Sequence, residues 1–102
     1  MKICTQTERF DKFFGIEETV RLLAEAGFDS LDYSMFFPLD SGVLVMSDDE
    51  LAEKYTKLRK LIEDHGMYVY QTHTPFPTWT GDEEKDEVIF RAEVKALYIS
   101  SL

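Results

Sequence analysis

Three segments of the chain combine a short run of β-branched and aromatic residues with a longer stretch in which apolar residues recur every three or four positions. The short runs cover residues 3–7, 30–34 and 67–73, and a helical pattern follows each of them. Runs of the first kind favour strands, and recurrence at helical spacing favours helices with one buried face. The pattern therefore predicts three consecutive strand–helix units.

Local signals mark where the predicted helices begin and end. Ser47 and Glu50 have the spacing of a capping box and begin the second helix. Gly27 and Gly66 close the first and second helices, where a residue with positive φ is favoured, and a predicted strand follows each glycine directly. The third helix begins in the acidic segment at Asp82. The segments before the first and second helices are predicted to be loops.

The connections between the strands restrict the topology. Strands joined through helices run parallel, with right-handed crossovers. A parallel sheet needs cover on both faces or closure into a barrel, and three strands provide neither. A (β/α)8 barrel takes about 250 residues, so residues 1–102 are predicted to be the N-terminal three βα units of one. The fold class expected is α/β, a parallel (βα)3 portion of a TIM (β/α)8 barrel, incomplete in this chain. We expect a fragment, or a chain that self-associates through its open sheet edges.

Charge and composition disfavour several classes of function. The chain has 11 Lys and Arg residues and 20 Asp and Glu residues, which gives a net charge of −9. Domains that bind nucleic acid are normally basic. No apolar run approaches the about 20 residues of a membrane span, and the N-terminus lacks the organisation of a signal peptide. The single cysteine, Cys4, cannot form an internal disulfide. We therefore expect a cytoplasmic protein without nucleic-acid or membrane partners, and a Cys4 thiol in the core.

Polar side chains stand near the ends of the predicted strands, at Gln6, Asp32 and His73. The carboxyl ends of barrel strands are where reacting groups gather. Strand alternation puts Val69, Gln71 and His73 on one face, so His73 is predicted to point toward the barrel axis, on the same rim as Asp32. A neutral imidazole can bind a metal ion or a sugar hydroxyl. The alternative roles are structural: a histidine that holds the following loop, and an acid that caps the next one.

Aromatic residues crowd the predicted loops at the same end of the sheet: Phe14, Phe36, Phe37, Phe76 and Trp79. Such side chains can wall a sugar pocket and exclude water. The alternative is that they pack over the barrel mouth without touching a ligand. Among them, Trp79 is the candidate to cover a substrate.

Three segments resemble the xylose isomerase-like barrel superfamily. Ala26-Gly27-Phe28-Asp29-Ser30-Leu31-Asp32 is similar to its A-G-(F/Y)-D-x-(V/I)-E junction, and Gly66-Met67-Tyr68-Val69 to its G-(L)-x-(V/I) junction. Gln71-Thr72-His73-Thr74-Pro75-Phe76 is similar to its x-x-H-x-P-(F/Y) element after the third strand, which is the most specific of the three. The resemblance covers the whole chain in order, although Asp32 stands where the superfamily usually has the longer Glu.

The resemblance implies part of a sugar or sugar-phosphate isomerase or epimerase. In such enzymes a divalent metal ion (Mn, Mg, Co or Zn) polarises the substrate while carboxylates move a proton. The metal ligands come from later strands, so the resemblance implies that this chain alone has no catalytic residue, no metal residue and no cofactor. It implies a substrate-binding set for a small sugar or sugar phosphate: Gln6, Asp32, His73 and Trp79. The chain alone is expected to be inactive.

Two other functions remain open. The superfamily includes the endonuclease IV type of DNA repair enzyme, in which the residue that matches His73 is a metal ligand. The other possibility is a non-catalytic module whose open sheet edges pair between chains.

Overall fold

A computed structural model of the chain describes residues 1–35 and 42–102. The described residues form three strands and four α-helices, with a 3-10 helix at Gly42–Val45. In chain order these are β1 (Cys4–Gln6), α1 (Phe10–Phe14), α2 (Ile16–Glu25), β2 (Ser30–Ser34), α3 (Asp48–Asp64), β3 (Tyr68–His73) and α4 (Glu83–Ser100). The strands form one parallel sheet in the order β1-β2-β3. The predicted α/β class and the parallel sheet are confirmed.

The signals for helix ends act as the sequence predicted. The Ser47 hydroxyl accepts a hydrogen bond from the Glu50 backbone N–H at 3.3 Å, and the Glu50 carboxylate accepts one from the Ser47 N–H at 2.7 Å. These bonds use two of the N–H groups that the first turn of α3 leaves without a helical acceptor. Gly27 and Gly66 follow α2 and α3 with φ of 94° and 78°. Only glycine enters that region at low cost, so each position ends its helix and releases the chain into a strand.

The predicted loop between the first strand and Gly15 is wrong, because it contains the five-residue helix α1. Arg9 precedes this helix with φ of 72°, and Gly15 ends it and begins α2 at once. Phe10, Phe13 and Phe14 have helical spacing, but one turn is too short to give a periodic signal. No residue of α1 is buried. The helix therefore forms without a buried apolar face, which is the feature that hydrophobic periodicity detects.

The hydrophobic core lies on one face of the sheet, which we call the helix face and define by Leu31 and Tyr33 of β2. One apolar cluster joins Leu31 to α2 and α3, and a second joins Tyr33 to α3 and α4. The buried members of the first are Val20, Leu23, Leu31, Ile62 and Met67, and those of the second are Met35, Val43, Leu51, Tyr55, Ala96 and Ile99. The crossover helices α2 and α3 therefore cover the same face, as right-handed connections in one direction require.

The opposite face, which we call the open face, carries Cys4 and Gln6 of β1 beside Ser30 and Asp32 of β2. Cys4 is exposed, so the expectation of a core thiol is wrong. Burial in the central strand is not confined to the helix face, since Ser30, Asp32 and Ser34 are buried on the open face, but β1 is an edge strand and leaves Cys4 exposed. Both apolar clusters of the described residues lie on the helix face, and Cys4 is on the other side.

Strand β3 contains an irregularity that the alternation argument missed. Leu31 pairs with Val69, but the next residue of β2, Asp32, pairs with Gln71, so Tyr70 is an extra residue in β3. Val69 is thus in register with the helix face, and its predicted place beside Gln71 and His73 is wrong. The bulge shifts the alternation by one residue, and beyond it Gln71 and His73 keep the face that the sequence predicted.

Helix α4 runs beside α3 and is anchored by polar contacts at its C-terminal half. Lys95 Nζ donates to the Met46 carbonyl at 2.6 Å, and the hydroxyls of Thr72 and Ser100 lie 2.8 Å apart, tying β3 to α4. Its opposite side carries three exposed apolar residues at helical spacing: Phe90, Val94 and Leu97. In the described part of the chain, no helix combines the length and apolarity that crossing a membrane requires.

Candidate functional site

Four polar side chains meet on the open face of the sheet, and we call them the Asp32 cluster: Gln6, Asp32, Gln71 and His73. His73 Nδ1 lies 2.7 Å from Asp32 Oδ1, and Gln71 Nε2 lies 2.7 Å from Asp32 Oδ2. Gln6 Nε2 lies 3.5 Å from the same Oδ2, at the outer limit of a hydrogen bond. The Asp32 carboxylate on the central strand β2 is thus contacted by one side chain of β1 and by two side chains of β3.

The chemistry of a carboxylate fixes which atoms donate in this cluster. An ionised carboxylate can only accept hydrogen bonds, so both glutamine amides donate through Nε2 and His73 donates through Nδ1. When the imidazole is neutral, this tautomer has its lone pair on Nε2. Asp32 is 5% exposed, whereas 41% of the His73 side chain is exposed. The buried acid therefore orients an imidazole that solvent and a ligand can reach.

Buried Thr7, just after β1, locks the carboxyl ends of β1 and β2 together. The Thr7 N–H donates to the Asp32 carbonyl at 3.1 Å, and the Thr7 hydroxyl accepts from the Ser34 N–H at 3.1 Å. Thr7 is 0% exposed. Since these bonds hold the backbone at Asp32 and at Ser34, they fix the segment of β2 that carries the carboxylate.

The structure brings together three of the four residues that the sequence singled out. Gln6, Asp32 and His73 share the cluster, on one rim as predicted. Trp79 is not among the residues that contact Asp32; it is 74% exposed and its ring lies beside Gly81 in its own loop. Gln71 was missed as a site residue, although its alternation with His73 placed both on the same face. The substrate-binding role of all four predicted residues stays a prediction.

Ser34 was also missed, and its environment is unusual. It is 6% exposed, pairs with His73 across the sheet, and its hydroxyl has no hydrogen-bond partner among the described residues. Buried hydroxyls are normally satisfied. The sequence signal was the alternation Ser30, Asp32, Ser34, which puts three small polar residues on one face where an ordinary core strand would carry apolar ones.

We expect Ser34→Ala to raise the free energy of unfolding by about 1 kcal/mol, because alanine removes a buried hydroxyl that gains nothing in return for its desolvation. Thr7→Val is the matched control, and we expect it to change the free energy of unfolding in the opposite direction. It deletes the acceptor of the Ser34 N–H and should lower the same quantity by about 1–2 kcal/mol. Urea unfolding followed by circular dichroism measures both. A loss of stability in Ser34→Ala would show that its hydroxyl is satisfied in solution.

The aromatic residues predicted near the site have exposed positions. Phe14, Phe76 and Trp79 are 54%, 81% and 74% exposed, and the Phe13 and Phe14 rings lie 6.5 Å apart. Phe36 and Phe37 lie outside the described residues. A wall of aromatic residues around a sugar therefore stays a prediction.

The Asp32 cluster does not by itself fit a metal ion. Asp32 and His73 are its only side chains of the usual ligand types, and they bond to each other through Oδ1 and Nδ1. Within residues 1–35 and 42–102, no group of three or more His, Cys, Asp and Glu side chains is placed to hold a metal ion. We assign no ion to these residues.

Two grooves lie among the helices, and the first of them reaches one residue of the cluster, Gln71. One, of about 370 Å³, runs between α3, β3 and α4 and is lined by Tyr55, Ile62, Thr72 and Ile99 among others. The other, of about 750 Å³, lies between α2 and α3 and is lined partly by Glu50, Glu53 and Lys57. Neither groove is lined by Asp32 or His73. The two grooves are therefore distinct from the Asp32–His73 pair at the centre of the candidate site.

Comparison with known proteins adds no relative to this picture. The chain matches no protein-family model, no curated protein and no solved structure.

Proposed function

We propose that this chain forms the first three βα units of a xylose isomerase-like barrel and supplies part of the substrate-binding surface of a sugar or sugar-phosphate isomerase or epimerase. The observation that carries the proposal is the convergence of Gln6, Gln71 and His73 on Asp32. A buried acid held by donors from both neighbouring strands is an arrangement that positions groups for a ligand.

The order of the strands supports the barrel. In a doubly wound sheet the strand order reverses at a switch point and helices cover both faces. Here the order is β1-β2-β3 without reversal, and both apolar clusters lie on the helix face. An arc of a barrel has this arrangement, with helices outside and a polar inner face at the carboxyl ends of the strands.

The chemistry of the cluster supports a carbohydrate as the ligand. A sugar hydroxyl both donates and accepts hydrogen bonds, and so do the amide groups of Gln6 and Gln71. His73, oriented through its Nδ1 by Asp32, is of the type that binds a sugar hydroxyl. We propose that Gln6, Gln71 and His73 bind hydroxyls of the sugar and that Asp32 positions His73.

The chain contains its own control for a binding test, because it has two histidines. His73 belongs to the cluster, whereas His65 caps α3 at the opposite end of the strands, with Nδ1 2.9 Å from the Leu61 carbonyl. We expect a ketohexose to shift the ring proton signals of His73 in an NMR titration, with a dissociation constant of about 1 mM or weaker for an open site. The His65 signals should stay in place. Equal shifts of both histidines, or none at His73, would contradict the proposal.

We also propose that the chain self-associates through its sheet edges. Along β3, Tyr68, Val69 and Tyr70 are exposed, and the outer edge of β3 has no strand partner among the described residues. An unpaired edge with apolar side chains is a template for another strand. DNA binding is not proposed, since a net charge of −9 repels a phosphate backbone.

We expect sedimentation velocity at tens of micromolar to show dimers or larger species, and Val69→Lys to shift the protein toward monomer, because an edge lysine opposes strand pairing. Phe13→Lys, which adds the same charge to an exposed residue of α1, is the control and should leave the association unchanged. A monomeric parent chain would refute this part of the proposal.

A further inference from the structure

We infer that the Asp32 cluster takes the uncharged, hydroxyl-bearing part of a sugar and rejects phosphate, so that its ligand class is a neutral aldose or ketose. The inference rests on the proposed function and chooses between the two ligand classes that it leaves open.

The first support is the charge of the cluster. Its one acidic side chain is Asp32, and each described residue that bonds to the Asp32 carboxylate is a glutamine or a histidine. A phosphate touching Gln71 or His73 would lie within a few ångströms of this carboxylate. Like charges at such distances repel strongly where water is partly excluded, and no arginine or lysine among the described residues pairs with Asp32 to offset the repulsion.

The second support comes from the helices that follow the strands. In a βα unit the N-terminus of the helix lies on the side where the strand ends, and such N-termini are the usual phosphate sites of these folds. Here the first turns are all acidic, with Glu17 and Glu18 in α2, Asp48, Asp49 and Glu50 in α3, and Glu83, Glu84 and Asp86 in α4.

Two of these N-termini also have their N–H groups already engaged. Glu50 N donates to the Ser47 hydroxyl at the start of α3. At the start of α4, Asp82 accepts from Lys85 N, and the Gly81 N–H donates to Asp86. A phosphate would have to displace the Ser47 hydroxyl at the start of α3 and the Asp82 and Asp86 carboxylates at the start of α4, so neither N-terminus offers these N–H groups to an anion.

The third support is the mixed polarity of the amides. Each glutamine gives one N–H of its Nε2 to Asp32 and keeps a second N–H and a carbonyl oxygen, so it can donate and accept at the same time. A hydroxyl needs both kinds of partner, whereas a phosphate needs donors only. The cluster therefore matches several neighbouring hydroxyls better than it matches an anion.

The test compares a ketohexose, its 6-phosphate ester and inorganic phosphate, each titrated into the 102-residue chain while the His73 and His65 signals are followed by NMR. We expect the ketohexose to shift His73 with a dissociation constant at least about threefold lower than that of the ester, and inorganic phosphate to leave His73 in place. Equal or tighter binding of the ester at His73 would overturn the inference and leave the proposed function standing. If neither sugar shifts His73, the proposed function itself fails.

A variant tests whether charge is the cause. Gln6 is exposed and makes the longest contact of the cluster, so Gln6→Lys adds a cation beside Asp32 with little disturbance of the fold. We expect it to strengthen binding of the ester relative to the ketohexose by at least about threefold. An unchanged ratio would overturn the electrostatic argument. Phe13→Lys adds the same charge away from the cluster and should leave the ratio as in the parent chain.

Discussion

Leu31→Ala is expected to lower the free energy of unfolding by about 3 kcal/mol, because it opens a cavity in the central strand. Leu31 is 0% exposed and packs with Val20, Leu23, Ile62 and Met67, so the hole is lined by α2, α3 and the segment entering β3. A domain of this size is stable by about 5–15 kcal/mol, so the loss is a large part of the total. Urea unfolding measures it as a lower midpoint with an unchanged slope.

Leu97→Ala is the matched control for this variant. It makes the same chemical change on α4, but Leu97 is 65% exposed, and we expect a change within about 0.5 kcal/mol. A similar loss in both variants would mean that the outer side of α4 is covered in solution. A small loss in Leu31→Ala would contradict the position of the core on the helix face.

The parallel sheet could be predicted because its signals are local. A capping box, two glycines with positive φ and short runs of β-branched residues each depend on a few neighbouring positions, and together they fix the alternation of helix and strand. Ser30–Ser34 and the end of β3 at His73 were placed correctly for this reason. Two crossovers through helices then leave the parallel arrangement as the one available.

The bulge at Tyr70 and the exposure of Cys4 could not be predicted in the same way. Tyr70 is an extra residue only relative to β2, a strand more than thirty positions away, so the register of β3 depends on contacts that no local pattern records. Cys4 looked apolar and was placed in the core, but which face of a strand is buried depends on where the helices pack. Both errors concern long-range packing.

The candidate site could be predicted from the sequence in part. Residue type and strand position were enough to select Gln6, Asp32 and His73, because the carboxyl ends of parallel strands meet at one edge. They could not identify Asp32 as the common acceptor, since that depends on its central strand lying between the other two. Trp79 was selected from its loop position alone, and a loop of residues 74–82 can hold an aromatic ring far from the sheet.

The central role of Asp32 makes Asp32→Asn the most informative change in the site. The amide keeps the volume of the carboxylate but replaces one acceptor oxygen with a donor nitrogen. That nitrogen must face either His73 Nδ1–H or the N–H groups of Gln6 and Gln71, all of which donate in the parent chain. At least one of these three side chains must therefore rotate or move its proton.

We expect Asp32→Asn to lower the free energy of unfolding by about 2 kcal/mol, the scale of a hydrogen bond to a charged group. If the new amide nitrogen faces His73, the Nδ1-protonated form of the ring, read from its nitrogen chemical shifts, should no longer predominate. If it faces Gln6 and Gln71, their side-chain N–H signals should shift instead. The dissociation constant for a ketohexose should rise about tenfold, since one such bond corresponds to roughly 1.4 kcal/mol or more of binding.

Asp29→Asn provides a control of identical chemistry three positions earlier. Asp29 accepts from the Ile3 N–H at 2.8 Å and lies 3.7 Å from Lys2 Nζ, at the amino end of the strands. Its replacement should leave the His73 ring and the ketohexose titration as they are in the parent chain. If Asp32→Asn keeps both the parent nitrogen shifts of His73 and the parent side-chain N–H signals of Gln6 and Gln71, then Asp32 does not hold these side chains in solution. In that case the cluster cannot position His73 for a ligand, because the bond between Nδ1 and Oδ1 is the contact through which Asp32 orients the imidazole.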